Sequence, residues 1–427
     1  MMKKVLALIL VLVSTLGLFF SESGIAQGAK KLDAATIKFW FPTEGTVNDA
    51  YFMDAVKEFE KMYPQIKVEI TRLPTNNTDV ELKLNAALLN NDYPDVFSSY
   101  LVFIGTRGSK GDFADLRPYL RQWSEKGDLM ESALNVGAYK GKQYGIGYYP
   151  APQILTYRTD YFKEAGLDPA KPPTTWEELR QYAYKLVKKD SSGAVIRSGY
   201  DVPAIDAETS LLAFMRQAGS LVIDERKEKT AFVNKKSADA LEFMTSMKDQ
   251  SIPYDGAKLD DFPFMKGNAA MCFINIGQIS KLLAKDSSMS DKLAYAPVLK
   301  KNAKSAFCGY RLFTMGAKSK YKNQSWEFIK FMMSKEQMMK RAKEINIPVV
   351  RKSLEDDYIQ LNPKLNKAIV EYTQYGKGMP VTSWSSIFTK FIRSAYEQVY
   401  TGRKTPMQAL KEIDLSIKKE LEGIFGK

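Results

Sequence analysis

The sequence has no histidine among its 427 residues and only two cysteines. Without histidine the chain cannot build a Ser-His-Asp or Cys-His nucleophile, and it lacks the usual ligand of zinc and non-haem iron. It also has no Walker loop, no dinucleotide-binding glycine fingerprint and no CxxC pair. These absences exclude the commonest hydrolytic, nucleotide and redox chemistries, and we expect neither a cofactor nor a metal.

The two cysteines, Cys272 and Cys308, lie in apolar stretches of the chain. Two buried thiols are the simpler expectation, and a disulfide between them is the alternative. Neither cysteine lies near the N-terminus, where a lipid-anchored bacterial protein carries its modified cysteine. We therefore expect no lipid anchor.

Long uncharged apolar runs are also rare, and only Val5 to Phe20 approaches the length of a bilayer span. Two lysines precede this run and small and polar residues follow it, which is the layout of an export signal. A transmembrane anchor is the alternative, but the run is short for a span of ~20 residues. We expect residues 1–28 to be a signal peptide cleaved near Ala26 or Gly28, leaving a soluble protein in the periplasm, in the cell envelope or outside the cell.

Acidic residues are outnumbered, because 62 lysines and arginines stand against 49 acids and give a net charge of +13. The basic residues are spread among acids, as between Asp224 and Lys229, which favours a solvated surface over a nucleic-acid site. Such a charge also suits the anionic cell envelope or an acidic ligand, and the sequence does not separate these from solubility.

The length of the chain favours two domains, and its patterns favour an α/β architecture. Apolar segments predict strands at 36–41, 66–70 and 95–97, with helices between them. This alternation is typical of a largely parallel sheet. Helical patterns and apolar runs return after residue 157 and predict a second α/β domain. Two helix starts are also predicted, with Thr174 or Thr175 capping one helix and Ser237 capping another.

Aromatic residues make up 12 % of the chain, and several lie beside glycine or proline at predicted strand ends and domain crossings. Strand ends are where α/β proteins form ligand sites. Aromatic faces beside carboxylate, amide and arginine groups suit the C–H faces and hydroxyl rims of sugars, although a single aromatic residue is more often part of the core. Groups of this kind are Trp40 with Glu44, then Tyr148, Tyr149 and Gln153, then Tyr310 and Arg311.

A carboxylate-dependent glycan hydrolase is one alternative, since that chemistry needs only two acids. Its candidates are Asp260 with Asp261, and the cluster from Glu355 to Asp357. The flanks of these acids predict solvated loops, so we expect binding without catalysis. An envelope sensory or adhesion protein is a second alternative.

Seven segments of the chain stand in a characteristic order. They are FW at 39–40, YPDV at 93–96, KGKQYGI at 140–146, AGLDPAKPPTTWEEL at 165–179, RQAGSLVID at 216–224, MKGNAAM at 265–271 and TGRKTPMQALKEI at 401–413. In this order the chain resembles the bacterial extracellular solute-binding family of ABC importers, which includes maltodextrin-type sugar-binding proteins. The resemblance covers nearly the whole mature chain.

The resemblance implies a two-lobed periplasmic-binding-protein-like fold of type II, in which each lobe is a mostly parallel sheet flanked by helices. The implied hinge crossings lie near Tyr148, near Tyr310 and at Ile345 to Val350. The first lobe then combines residues 33–147 with 312–345, and the second combines 148–311 with 346–427. The implied function is reversible binding of a carbohydrate, most simply an oligosaccharide, by a monomer that delivers it to the permease subunits of an ABC importer.

The resemblance also completes the set of expected ligand-binding residues. The full set is Trp40, Glu44, Tyr100, Tyr148, Tyr149, Gln153, Asn275, Gln278, Tyr310, Arg311 and Trp384. Gln278 stands where many relatives have tryptophan, which weakens the transfer of a stacking platform to this position. Core packing is an equal alternative for Trp384. A sugar acid drawn by Arg311, or a polar solute that is not a sugar, stays open as the ligand.

Overall fold

The computed structural model describes residues 32–43, 45–203, 207–253 and 261–426. The expected signal peptide lies outside these residues, and so do Glu44 and Asp260. In the described ranges, no helix is both long enough and apolar enough to cross a membrane.

The described residues alternate between strands and helices along most of the chain. The strands are β1 (Ala35–Pro42), β2 (Ile66–Leu73), β3 (Val96–Tyr100), β4 (Ala138–Tyr139), β5 (Lys142–Gln143), β6 (Gly145–Pro152), β7 (Ile154–Arg158), β8 (Lys188–Lys189), β9 (Val195–Arg197), β10 (Ile223–Asp224), β11 (Lys229–Thr230), β12 (Met271–Ile274), β13 (Leu293–Tyr295), β14 (Ala306–Met315) and β15 (Gly376–Lys377). The helices are α1 (Thr46–Met62), α2 (Asn77–Leu89), α3 (Phe103–Lys110), α4 (Arg117–Gln122), α5 (Glu131–Asn135), α6 (Thr159–Glu164), α7 (Trp176–Leu186), α8 (Ala207–Gln217), α9 (Lys235–Thr245), α10 (Ile276–Lys285), α11 (Met289–Lys292), α12 (Lys322–Met332), α13 (Lys335–Ile345), α14 (Glu355–Leu361), α15 (Pro363–Gln374), α16 (Ser385–Tyr400) and α17 (Pro406–Phe425).

A first sheet has the strand order β15-β14-β3-β1-β2, with β6 also paired to β14. The strand β1 runs parallel to β2 and β3, as the sequence predicted, and β14 runs antiparallel to β3 and β6. Phe39 and Phe41 of β1 meet Phe52 of α1 at ring-centroid distances of 5.4 and 4.6 Å, and Phe328 of α12 lies 5.1 Å from Phe39. Each such pair adds ~0.5–1.5 kcal/mol beyond its buried area. This continuous apolar run explains why β1 is an interior strand of the sheet, between β3 and β2.

A second sheet has the order β12-β7-β13, and both of its pairings are antiparallel. The expectation of a mostly parallel sheet is therefore wrong for this half of the molecule. The reason is the path of the chain, since β12 and β13 are joined by α10 and α11 and run in the same direction. The strand β7 lies between them and arrives from the opposite end, directly after β6.

Two long strands connect the sheets. The strand β6 pairs with β14 in the first sheet and continues through Gln153 into β7 of the second. The register of β6 against β14 shifts between Arg311 and Leu312, which leaves Tyr148 as an extra residue in a β-bulge. A third connection follows α13, where Asn346 has a left-handed φ of 55° and the Val350 carbonyl accepts a hydrogen bond from Met130 N.

The helix starts follow from local capping chemistry. Thr175 caps α7 in a capping box with Glu178, as predicted. The prediction that Ser237 caps α9 is wrong, because Asn234 accepts the hydrogen bond from Ser237 N and starts the helix earlier. The acids from Glu355 to Asp357, expected in a loop, form the first turn of α14, where carboxylates stabilise the positive end of the helix dipole.

Both cysteines are free, buried thiols, in agreement with the simpler expectation. Cys272 lies on β12 of the second sheet, and Cys308 lies on β14. Burial raises the pKa of the Cys308 thiol to about 12. Neither side chain therefore supplies a reactive thiolate at neutral pH.

Candidate functional site

A cavity of about 280 Å³ opens where β3 ends and where β6 and β14 pass between the sheets. It is lined by Asn77, Tyr100, Leu101, Val102, Tyr149, Ala151, Asn275, Phe307, Gly309, Tyr310, Arg311 and Met379. The first sheet contributes the end of β3, and the second contributes Asn275 at the end of β12. The cavity therefore has walls from both halves of the molecule.

Strand pairing explains why distant residues meet at this cavity. Arg311 of β14 lies opposite Tyr100 of β3 on one side and opposite Tyr149 of β6 on the other. Directly paired residues share a face of the sheet, so these side chains form a row across three strands. Farther along β14, Gly309 lies opposite Ala151 on the same face. We call Tyr100, Arg311 and Tyr149 the cross-strand row.

The cross-strand row joins a cation to aromatic rings. The Arg311 guanidinium carbon lies 3.5 Å from the centroid of the Tyr100 ring, which is a close cation–π contact. The Tyr100 hydroxyl donates a hydrogen bond to the Thr75 carbonyl, so the ring is held at both ends. All three residues of the row are half-buried. Such a surface offers an apolar ring face and a charged hydrogen-bond donor side by side.

Tyr310 lies on the opposite face of β14 from the cross-strand row and is 5 % exposed. Burial raises the pKa of its phenol well above the ordinary value. A Cβ atom added at Gly147 would lie 2.8 Å from the Tyr310 ring, so the glycine is required for this packing. Tyr310 is therefore a supporting wall of the cavity, with little surface of its own for a ligand.

Asn275 lines the cavity from the start of α10. Its side-chain oxygen accepts a hydrogen bond from Gln278 N, and the Gln278 side-chain oxygen accepts one from Asn275 N, both at 3.0 Å. This reciprocal capping box commits the Gln278 carbonyl to the helix start. The remaining polar group of the Asn275 side chain is its amide NH2, a hydrogen-bond donor.

Helix starts add positive potential to the cavity. The helices α2 and α10 begin at or next to Asn77 and Asn275, and α3 begins just after Val102. The first N–H groups of a helix have no partner within it, and the helix dipole is positive at this end. Together with Arg311, these termini favour electronegative oxygen atoms as ligand groups.

Several expected site residues lie elsewhere. Tyr148 stacks on Phe313 with ring centroids 4.1 Å apart, and its hydroxyl lies 2.8 Å from Ser98 Oγ inside the first sheet's core. Trp40 and Trp384 are 7 % and 3 % exposed and belong to the buried core. Core packing therefore accounts for these three aromatic residues, and we remove them from the candidate site.

Two further expected residues are not found in the described part of the cavity wall. Gln153 has a structural role, and Glu44 lies outside the described residues. Gln153 is half-buried and donates its backbone N–H to the Phe307 carbonyl at 2.9 Å, which holds the chain as it crosses between the sheets. Glu44 lies outside the described residues, so its place relative to the cavity stays a prediction.

The sequence analysis did not identify some of the residues that line the cavity. Asn77 could have been found, because two asparagines stand at the start of the helix predicted between the second and third strands. Gly309 and Phe307 share a face of β14 with Arg311, so alternation along that strand would have included them. Met379 enters from a distant loop, and no local pattern marks it.

The acids considered for catalysis do not line this cavity. Asp261 pairs with Lys266 at 3.0 Å, and the acids from Glu355 to Asp357 belong to α14. Among the described residues, no aspartate or glutamate lies in the cavity wall. The chemistry of the described wall is therefore that of aromatic, amide and guanidinium groups.

Comparison with known proteins gives relatives over most of the chain. The chain is 23 % identical over 359 residues to the arabinooligosaccharide-binding protein of Bacillus subtilis strain 168, covering 80 % of this chain and 78 % of the relative. It is 26 % identical over 432 residues to the sn-glycerol-3-phosphate-binding periplasmic protein UgpB of Escherichia coli strain K12, covering 92 % and 95 %.

The fold is also shared with solved structures. The sugar-binding protein MalE from Xanthomonas citri matches with a TM-score of 0.80 at 20 % identity, over 92 % of this chain and 99 % of that chain. This likeness confirms the two-lobed α/β fold. The family model for the bacterial extracellular solute-binding protein matches residues 54–368. The chain therefore belongs to the bacterial extracellular solute-binding protein family.

Proposed function

We propose that this protein is the solute-binding component of an ABC importer and that it binds a carbohydrate, most simply an oligosaccharide, in the cavity between the sheets. The cross-strand row is the observation that supports this proposal most strongly. Its tyrosine faces suit the C–H faces of a sugar ring, and Arg311 and the Asn275 amide suit the hydroxyl rim. Two of the relatives described above are named for sugars, which supports the same ligand class.

The lobes would close around the ligand. We assign residues 33–147 and 312–345 to the first lobe and 148–311 and 346–427 to the second, with β6, β14 and the chain after α13 as the hinge. Tyr100 and Asn77 then lie on one side of the cavity and Asn275 on the other. A ligand that contacts both sides stabilises the closed form and shifts the equilibrium towards it.

Transport follows from this closure, and it requires no chemistry in the protein itself. The exported, monomeric protein would present the closed, loaded form to the membrane permease, whose ATPase subunits supply the energy. No bond of the ligand is made or broken. A glycan hydrolase would instead need an acid pair at the ligand, and the described acids discussed above lie outside the cavity wall.

An acidic sugar is the second candidate ligand. Arg311 and the three helix starts at the cavity favour an anionic group. One of the relatives is named for a phosphate ester, which agrees with this candidate. The neutral and acidic candidates differ in their dependence on Arg311, so one set of variants distinguishes them.

A thermal-shift screen tests the proposal, because a ligand that binds only the native state raises the melting temperature. The panel contains neutral oligosaccharides, sugar acids, sugar phosphates, polyols and amino acids. We expect a shift with at least one saccharide and its loss in Tyr149→Ala. Tyr184→Ala is the matched control, since Tyr184 is 55 % exposed on α7, away from the cavity. Shifts with non-sugars alone would exclude a carbohydrate ligand.

A further inference from the structure

A second concave surface, of about 710 Å³, lies on the first lobe and is lined by lysines and tyrosines. We call it the lysine groove. Lys110 is the last residue of α3, Lys142 lies on β5, and Lys322 begins α12. Within the described ranges none of these lysines forms a salt bridge with an acid. Three segments that are distant in sequence therefore bring uncompensated positive charge to one concavity.

The other two charged residues of the lysine groove, Asp115 and Lys140, already form ion pairs. Asp115, the one acid among the described residues of its wall, pairs with Arg117 at 2.6 Å. Lys140 pairs with Glu228 at 2.8 Å. The groove therefore keeps a net positive charge after its internal ion pairs are counted, and an anionic partner would complete it.

Tyrosine rings form the apolar part of the lysine groove. Tyr119, Tyr139 and Tyr144 line it, but Tyr139 and Tyr144 are only 5 % and 6 % exposed, so the half-buried Tyr119 offers most of the ring surface. A Cβ atom added at Gly108 would lie 2.7 Å from the Tyr144 ring, so a glycine in α3 lets this ring pack closely against the helix. Ammonium groups beside aromatic faces suit a chain that alternates charged groups with C–H surfaces.

The lysine groove lies at the far end of β14 from the ligand cavity. Phe113 in the groove wall bridges to Gly316, just after β14 ends, whereas Arg311 lies near the middle of that strand. Five residues of extended chain span ~17 Å. A partner in the groove can therefore bind while the cavity holds its solute.

We propose that the lysine groove binds a polyol-phosphate polymer of the cell envelope and so holds the protein near the membrane. Lysine ammonium groups bind phosphate as point charges, and the half-buried Tyr119 ring suits a polyol unit between phosphates. A concave surface lined by lysines fits a single anionic polymer chain better than it fits the plane of a membrane or the width of a nucleic-acid duplex.

The test measures binding of the full chain to immobilised poly(glycerol phosphate) over a series of salt concentrations. We expect K110Q/K142Q/K322Q to bind about 100-fold more weakly at low salt, and to reduce the slope of log K against log salt by about 2. The matched control is K83Q/K185Q/K248Q, which removes the same charge from exposed lysines outside the groove. The control should bind like the wild type.

Further probes make the result specific. Melting temperatures of both triple variants should equal that of the wild type. The rise in melting temperature on adding the solute should also be the same for both variants as for the wild type. A neutral glucan should not bind. Equal losses of polymer affinity in the groove variant and in the control variant would overturn the proposal, because the interaction would then follow net charge alone. Equal or tighter binding of duplex DNA or of anionic lipid vesicles would also overturn it.

Discussion

Two glycines on paired strands give opposite predictions from the same kind of substitution. Gly309 lines the ligand cavity, and a Cβ atom added there would lie no closer than 3.9 Å to Ala151 and Phe307. We expect Gly309→Ala to change the free energy of unfolding by less than ~0.5 kcal/mol. Gly309→Phe would place a ring in a cavity of about 280 Å³. Affinity for the solute should fall more than ~100-fold, which corresponds to ~2.8 kcal/mol.

Gly147 is the contrasting position, because its added Cβ atom would lie 2.8 Å from the Tyr310 ring. Overpacking of this kind costs ~1–3 kcal/mol, so Gly147→Ala should lower stability. Urea unfolding gives the stability of each variant, and calorimetric titration with the solute gives its affinity. Wild-type affinity in a folded Gly309→Phe variant would refute the placement of the ligand site. A Gly147→Ala variant as stable as the wild type would refute the packing described for Tyr310.

Three further predictions concern charge, pH and thiol chemistry. Arg311→Gln should reduce the affinity for an acidic saccharide at least tenfold more than the affinity for a neutral one, as measured by calorimetric titration. Equal losses of affinity for the two saccharides would argue against an anionic ligand group. Burial raises the pKa of Asp201 to about 7, above its unfolded value, so its contribution to stability is fully present at low pH and is lost as pH rises through 7. Asp201→Asn should therefore gain unfolding free energy relative to the wild type as pH rises from 5 to 7, by up to ~2.7 kcal/mol over these two pH units, and a pH-independent difference in urea unfolding would contradict this. Cys308 should react with a thiol reagent at pH 8 only on unfolding, and rapid labelling of the native protein would show that its burial is wrong.

Local patterns predicted most of the fold, and chain path decided the rest. The run of apolar residues in β1 identifies a buried interior strand without any other information. The antiparallel second sheet could not be predicted in the same way, because strand direction depends on where β7 enters after the crossing. The cap of α9 shows a smaller limit, since Asn234 and Ser237 are both good caps and the sequence alone does not choose between them.

The candidate site was also only partly predictable from the sequence. Arg311, Tyr100 and Tyr149 were all expected at the site, but the row that they form depends on the register of three strands distant in sequence. Tyr148 and Tyr149 are adjacent and have the same aromatic character. A β-bulge and the alternation of faces send Tyr149 to the cavity and Tyr148 into the core. Gly147 directly before the bulge is a weak sequence signal for it, but this glycine does not say which of the two tyrosines is the extra residue.

Calorimetric titration of the wild-type protein with the saccharide that gives the largest thermal shift tests the central claim most directly. Reversible binding in one cavity predicts a single site, a stoichiometry of one and a saccharide recovered intact after the titration. The absence of binding heat at several temperatures would contradict carbohydrate binding. A cleaved saccharide in the recovered solution would contradict binding without catalysis.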